Sequence, residues 1–133
     1  MSTETFNQQG LIAYRLEHAK ETLQDATLLF EQNGSPASVV NRAYYAMFYA
    51  VLALLITAGA GSSKHSGTIA LFDEYFVRSG KFPKEMSKTL HRAFDLRQIG
   101  DYRELLELDK AQAEEILLAA RKFVSAVEQF LAA

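Results

Sequence analysis

Ser38-Val39-Val40-Asn41-Arg42-Ala43-Tyr44-Tyr45-Ala46-Met47-Phe48-Tyr49-Ala50-Val51-Leu52-Ala53-Leu54-Leu55-Ile56 is the stretch around which the rest of the chain must pack. After Arg42 no charged residue appears until Lys64. Apolar residues fall on every side of a 3.6-residue wheel, which marks a buried helix rather than a surface one. Ala43, Ala46, Ala50 and Ala53 let neighbouring helices approach, while Tyr45, Phe48, Tyr49 and Leu52 supply bulk. Asn41 and Arg42 are polar exceptions at its start, so each must bond protein groups, reach solvent or face a ligand. The uncharged run Ala43–Ala60 is near the lower length limit for crossing a membrane. It is alanine-rich, however, and carries Tyr44, Tyr45 and Tyr49 in its first half rather than at an interface. The flanking segments are amphipathic and need a shared apolar partner. The expectation is therefore the central helix of a soluble bundle, with no membrane contact.

The other segments supply that bundle. Residues 1–9 read as a loose tail and 10–133 as one helical domain. Ile12, Leu16, Ala19, Leu23, Ala26 and Phe30 recur at steps of four and three, an amphipathic first helix on which His18 reads as a surface residue. Asn33-Gly34-Ser35-Pro36 stops it and opens the central helix, with Ser35 as N-cap and Pro36 at the first helical position. Gly59-Ala60-Gly61-Ser62-Ser63 ends that helix, and a third follows Lys64-His65-Ser66-Gly67 with Ile69, Phe72 and Phe76 on one face. Pro83 begins a fourth through about Leu96, with Met86, Leu90, Ala93 and Phe94 inward and Lys84, Lys88 and Arg92 stacked outside. Gly100 argues for a break after it. Asp109 and Gln112 have the spacing of a capping pair for a last helix that buries Ala113, Ile116, Leu117, Ala120, Phe123, Val124, Val127 and Phe130. No stretch alternates like a strand. The fold class is all-α, an up-and-down bundle of about five helices with the second at its centre.

With 133 residues the chain can bury a real core without staples, and the absence of cysteine excludes disulfides and thiolate chemistry. Met1-Ser2-Thr3-Glu4-Thr5 has no basic region followed by an apolar stretch, so a cytoplasmic location is expected. The net charge of −2 is unevenly spread: residues 78–103 hold seven basic side chains against three acidic ones, a local +4. Such asymmetry suits an anionic partner. There is no glycine-rich phosphate loop, no nucleophile elbow and no pair of Glu-x-x-His motifs for a bundle metal site. His91 and Asp95, one turn apart, are too few to hold a metal and read as a surface hydrogen bond. Arg97-Gln98-Ile99-Gly100-Asp101-Tyr102 is the informative segment. Its guanidinium suits a phosphate; equally, Arg97 can pair with Asp101 while Tyr102 packs on the bundle.

Asn41-Arg42-Ala43-Tyr44-Tyr45-Ala46-Met47-Phe48, Ser63-Lys64-His65-Ser66-Gly67 and Leu96-Arg97-Gln98-Ile99-Gly100-Asp101-Tyr102 together resemble the HEPN domain superfamily, closest to its small stand-alone prokaryotic members. The resemblance covers roughly residues 10–131. It implies a dimerising helical bundle, and for many members a metal-independent ribonuclease, often a toxin paired with a minimal nucleotidyltransferase (MNT), without cofactor. Active members carry an Arg, an adjacent polar residue and a His four to six positions later, two such motifs meeting across the dimer. Arg97 matches the Arg and Gln98 the polar position; the His does not carry over, because Tyr102 stands where it would fall. An unperturbed tyrosine, near 10, is a poor general base, which leaves Asp101 or His65 for that role beside Arg97. Arg97, Asp101 and Tyr102 are then expected to bind RNA or nucleotide, with Gln98, Asn41, Arg42, Lys84, Lys88 and Arg92 as further candidate contacts, and Tyr102 is also a candidate for nucleotidylation by the MNT partner. The alternative is a catalytically inactive helical module that docks on a nucleotidyltransferase.

Overall fold

A computed structural model describes residues 3–101 and 108–133, with side chains described over 7–98 and 108–133. Among the described residues there are five α-helices and no strand: α1 (Thr3–Glu31), α2 (Pro36–Thr57), α3 (His65–Phe72), α4 (Lys84–Asp101) and α5 (Lys110–Ala132). A π-helical turn, Asp73–Val77, prolongs α3. The all-α bundle expected from the hydropathy pattern is the fold observed.

Helix α2 is its axis. It packs against each of the other four helices, and Val40, Ala43, Tyr44, Ala46, Met47, Ala50, Val51, Ala53 and Leu54 are completely buried. By length and composition α2 is long and apolar enough to cross a membrane, but 67% of its most apolar window is buried inside the protein. Its partners run antiparallel where the links are short. Gln8 Nε2 donates to the Ile56 carbonyl at 3.1 Å, so the start of α1 meets the end of α2. Lys20 meets Glu128 at 2.8 Å and Arg121 donates to Thr27 at 3.2 Å, which sets α5 antiparallel to α1.

The helix ends follow local chemistry. Helix α1 closes in a Schellman arrangement in which Gly34 N donates to Leu29 O at 2.7 Å and Asn33 N to Phe30 O at 3.2 Å. The left-handed residue there is Asn33, at φ 58°, rather than the glycine beside it; asparagine tolerates this region better than most residues. Gly34 serves differently: a Cβ on it would sit 3.0 Å from the Leu29 carbonyl oxygen. Ser35 caps α2 by accepting from Ser38 N at 3.2 Å, with Pro36 following as expected.

Two boundaries differ from the sequence reading. Helix α1 starts at Thr3 instead of near Gly10, since no proline interrupts residues 3–9 and Gln8 is tied to α2. Helix α4 continues past Leu96 to Asp101. One interior glycine costs a helix only about 1 kcal/mol relative to alanine, too little to impose the expected break at Gly100.

Helix α5 opens with the full capping box: Gln112 N donates to Asp109 Oδ1 at 2.7 Å, and Asp109 N donates to Gln112 Oε1 at 2.9 Å. Asp109→Ala is expected to lower stability by about 1 kcal/mol, and Asp109→Ser to restore most of it. Urea midpoints of the three proteins check this directly.

Candidate functional site

Helix α2 offers two adjacent tyrosines in an otherwise apolar stretch, and a phenol removed from water needs a polar partner. Tyr44 is fully buried and Tyr45 half-buried. Two other helices supply the partners. From the first turn of α3, His65 places Nδ1 2.8 Å from the Tyr44 hydroxyl. From α4, the half-buried Arg97 donates through Nη2 to the Tyr45 hydroxyl at 3.1 Å. The same guanidinium lies over both rings, 5.6 Å from the Tyr44 centroid and 5.3 Å from that of Tyr45. Such contacts contribute about 1–2 kcal/mol when partly desolvated. Arg97 points this way because it shares the face of α4 that carries Leu90, Ala93 and Phe94, seven, four and three residues before it.

His65 is held as firmly. Its ring stacks on Phe48, with centroids 4.1 Å apart and planes at 14°, and meets Tyr45 edge-on at 5.5 Å. The turn before it folds back tightly: a Cβ on Gly67 would overlap Ser62 Oγ, so this position accepts only glycine without displacing Ser62. Burial first, and the Arg97 charge second, hold the imidazole below 6.5. Burial likewise pushes the Tyr44 phenol well above its usual range, which the Arg97 charge offsets in part. Tyr44 therefore stays protonated at neutral pH. When Nδ1–H donates to the Tyr44 oxygen, the free lone pair resides on Nε2, the nitrogen not engaged by Tyr44.

The consequence for pH is directional. As pH falls below 6.5 the unfolded chain takes up the His65 proton before the folded one. The stabilisation tied to neutral His65 is therefore complete above 6.5 and lost as pH falls through the lower folded value. Wild type should lose more stability than His65→Gln between pH 7.5 and 5, a comparison of urea midpoints that subtracts the carboxylates common to both.

Several residues expected at the site sit close by. Asn41 Oδ1 accepts from Arg42 Nε at 3.1 Å and Nη2 at 2.9 Å, and the Arg42 guanidinium lies 5.2 Å from the Tyr45 ring centroid. Gln98 is exposed. Asp101 ends α4 one turn beyond Arg97, but its side chain is outside the described set, and Tyr102 lies outside the described residues. The basic stripe does not converge on Arg97. Lys88 is nine residues away, half a revolution around α4, and Lys84 is on the order of 20 Å away along the axis. Arg92 is committed to Glu115 at 2.8 Å. His91 bonds Asp73 of the π turn at 2.8 Å rather than Asp95. His18 is not a simple surface residue: it is half-buried and stacks on Tyr49 with centroids 3.8 Å apart.

Tyr45 was read from the sequence as core bulk and Tyr44 was given no role of its own; together they prove to be the hub that unites Arg97 with His65. The available signal was a pair of hydroxyls in a segment with nothing of its own to satisfy them.

The model of the HEPN domain matches residues 12–130. A UPF0332 protein of Thermotoga maritima is 42% identical, the match covering 92% of each chain. A UPF0332 protein of Archaeoglobus fulgidus is 41% identical over 83% of this chain and 86% of its own. A protein of Methanocaldococcus jannaschii named as a candidate toxin is 30% identical over 87% of this chain and 78% of its own length. On the matched span, the identities and the all-helical architecture, the chain belongs to the HEPN domain family.

Proposed function

We propose that the protein is a cytoplasmic HEPN-type homodimer that binds RNA or nucleotide phosphate at Arg97, and that His65 is the acid–base group for metal-independent cleavage of the bound strand. The observation that carries this reading is the convergence of Arg97 and His65, from different helices, on Tyr44 and Tyr45. A guanidinium can neutralise a phosphate through its planar fork. An imidazole held below 6.5 is mostly unprotonated at neutral pH and able to accept a proton. In cleavage, His65 Nε2, in the tautomer whose Nδ1–H donates to Tyr44, would take the proton of an RNA 2′-hydroxyl as that oxygen attacks the adjacent phosphorus. The 5′-oxygen leaves with a proton from water, and a 2′,3′-cyclic phosphate remains. Arg97 would balance the negative charge that builds on phosphorus-bound oxygens. This substitutes an imidazole from α3 for the motif histidine that the Arg97 segment lacks. The candidate-toxin relatives support a toxin role; a nucleotidyltransferase antitoxin partner that modifies Tyr102 belongs to the same proposal.

One observation favours a second reading. Arg97 is already engaged by Tyr45 within the subunit, as a non-catalytic module docking on a nucleotidyltransferase would require. Incubating the purified protein with labelled RNA, with and without chelator, separates the two. Cleavage that survives chelation and is lost in His65→Gln supports the first. Absence of both cleavage and RNA binding across the salt range supports the second.

A further inference from the structure

Helix α5 carries a charge pattern that the Arg97 site does not use. Glu114 and Glu115 stand four and three residues before Leu118, and Arg121 and Lys122 stand three and four residues after it. Steps of three and four share one side of a helix, so an acidic turn, a leucine and a basic turn follow one another along a single strip. All five residues are exposed, Leu118 at 47%. A lone exposed leucine needs no explanation, but this one borders a groove of about 630 Å³ between α4 and α5. The lining includes Met86 of α4 and, from α5, Glu115, Leu118, Ala119 and Lys122. Those four have the i, i+3, i+4, i+7 spacing of the hole that receives one side chain in knobs-into-holes packing. The inner charges are engaged within the subunit: Glu115 meets Arg92 at 2.8 Å, and Arg121 donates to Thr27 at 3.2 Å. The outer two are different. Among the described residues neither Glu114 nor Lys122 has a hydrogen bond or an ion pair, and eight residues, roughly 12 Å of helix, keep them from each other.

We infer that this strip is an interface between two copies of the chain, in which two α5 helices pack antiparallel about a two-fold axis at Leu118. A two-fold contact requires one patch to hold both complementary halves, and this patch does. In an antiparallel pair, residues equally far before and after position 118 oppose each other. Leu118 of each copy then enters the hole formed by Glu115, Leu118, Ala119 and Lys122 of its mate, and Lys122 of each faces Glu114 of the other. A parallel pair would set Glu114 against Glu114 and Lys122 against Lys122, which repel. The charges therefore fix direction and register, whereas the leucines and the apolar groove wall supply the affinity, because exposed ion pairs contribute little. Helix α5 supplies no residue to the Arg97 cluster described above, so this contact is separate from one that joins two Arg97 clusters, and a protein using both is a tetramer. It stands whether or not Arg97 binds RNA.

Sedimentation velocity of the full chain over a concentration series tests it. Wild type should be larger than a monomer, and Leu118→Glu should halve its mass, from tetramer to dimer or from dimer to monomer. Self-association at this face should weaken about a hundred-fold, since the two-fold axis makes each substitution count twice. Glu114→Lys and Lys122→Glu should each weaken association, and the double exchange should return it to near the wild-type value. Leu118 is exposed enough for its variant to fold, which thermal melts check; the charge variants carry the test if they show otherwise. A monomeric wild type, or an oligomer whose mass Leu118→Glu leaves unchanged, overturns the inference. Weakening by the two charge variants that adds up in the double exchange, with no recovery, overturns the antiparallel pairing and the inference with it. RNA titrations of Arg97→Ala, run separately, decide the phosphate site without touching either result.

Discussion

Arg97→Ala is expected to reduce RNA or nucleotide binding by ten-fold or more while the protein remains helical. The size follows from the contact removed: a charge-assisted hydrogen bond contributes about 1.5–3 kcal/mol, and a forked one lies at the upper end. Stability should fall too, by roughly 1–2 kcal/mol, because the Tyr45 hydroxyl loses its donor and two rings lose their cation. Arg97→Lys divides the two contributions. Lysine retains the positive charge but neither the planar fork nor the stack on Tyr44 and Tyr45, so binding should be intermediate and still decline with salt. Titrations at several salt concentrations, alongside circular dichroism and urea midpoints, measure both effects on the same samples. A loss of stability with RNA affinity unchanged would instead make Arg97 a strut and favour the interaction module.

Phe72→Ala should cost about 3–5 kcal/mol, the largest stability loss of any change considered for this chain. Phe72 is completely buried, and its ring contacts Phe76 at 6.2 Å, Phe82 at 6.0 Å and Phe123 at 5.4 Å. These rings tie the end of α3 and its π turn to α5, at the far end of α3 from His65. Removing the side chain leaves a cavity that surrounding rings cannot collapse to fill, because each is pinned by others: Phe76 and Phe82 both contact Phe130. Phe72→Leu, which keeps much of the volume, should lose far less. Denaturant midpoints at constant slope verify the order. Because α3 also carries His65, the alanine variant should be compared for RNA binding only where melts show it folded.

Much of the bundle was legible before any coordinates. The all-round apolar character of residues 43–56 had only one economical use, burial on every side, and α2 is buried accordingly. Ser35-Pro36 and Asp109 with Gln112 encode helix starts whose hydrogen bonds close within a few residues, so they needed no tertiary context. Gly100 misled for the complementary reason. Its helix penalty is small, and the anchoring of α4 through Leu90, Ala93 and Leu96 against the core outweighs it.

The site divides along the same line. Arg97 and His65 stand 32 positions apart and belong to segments with no shared periodicity, so nothing in their spacing pairs them. Local patterning, a matter of propensity and burial within a few turns, established an all-helical chain with α2 at its centre and singled out Arg97 as a candidate phosphate ligand. The meeting of Arg97 with His65 and the role of Tyr44 and Tyr45 as their common support came from how the helices pack. Those are properties of inter-helix angle and register, set by many weak contacts at once, and no short segment encodes them.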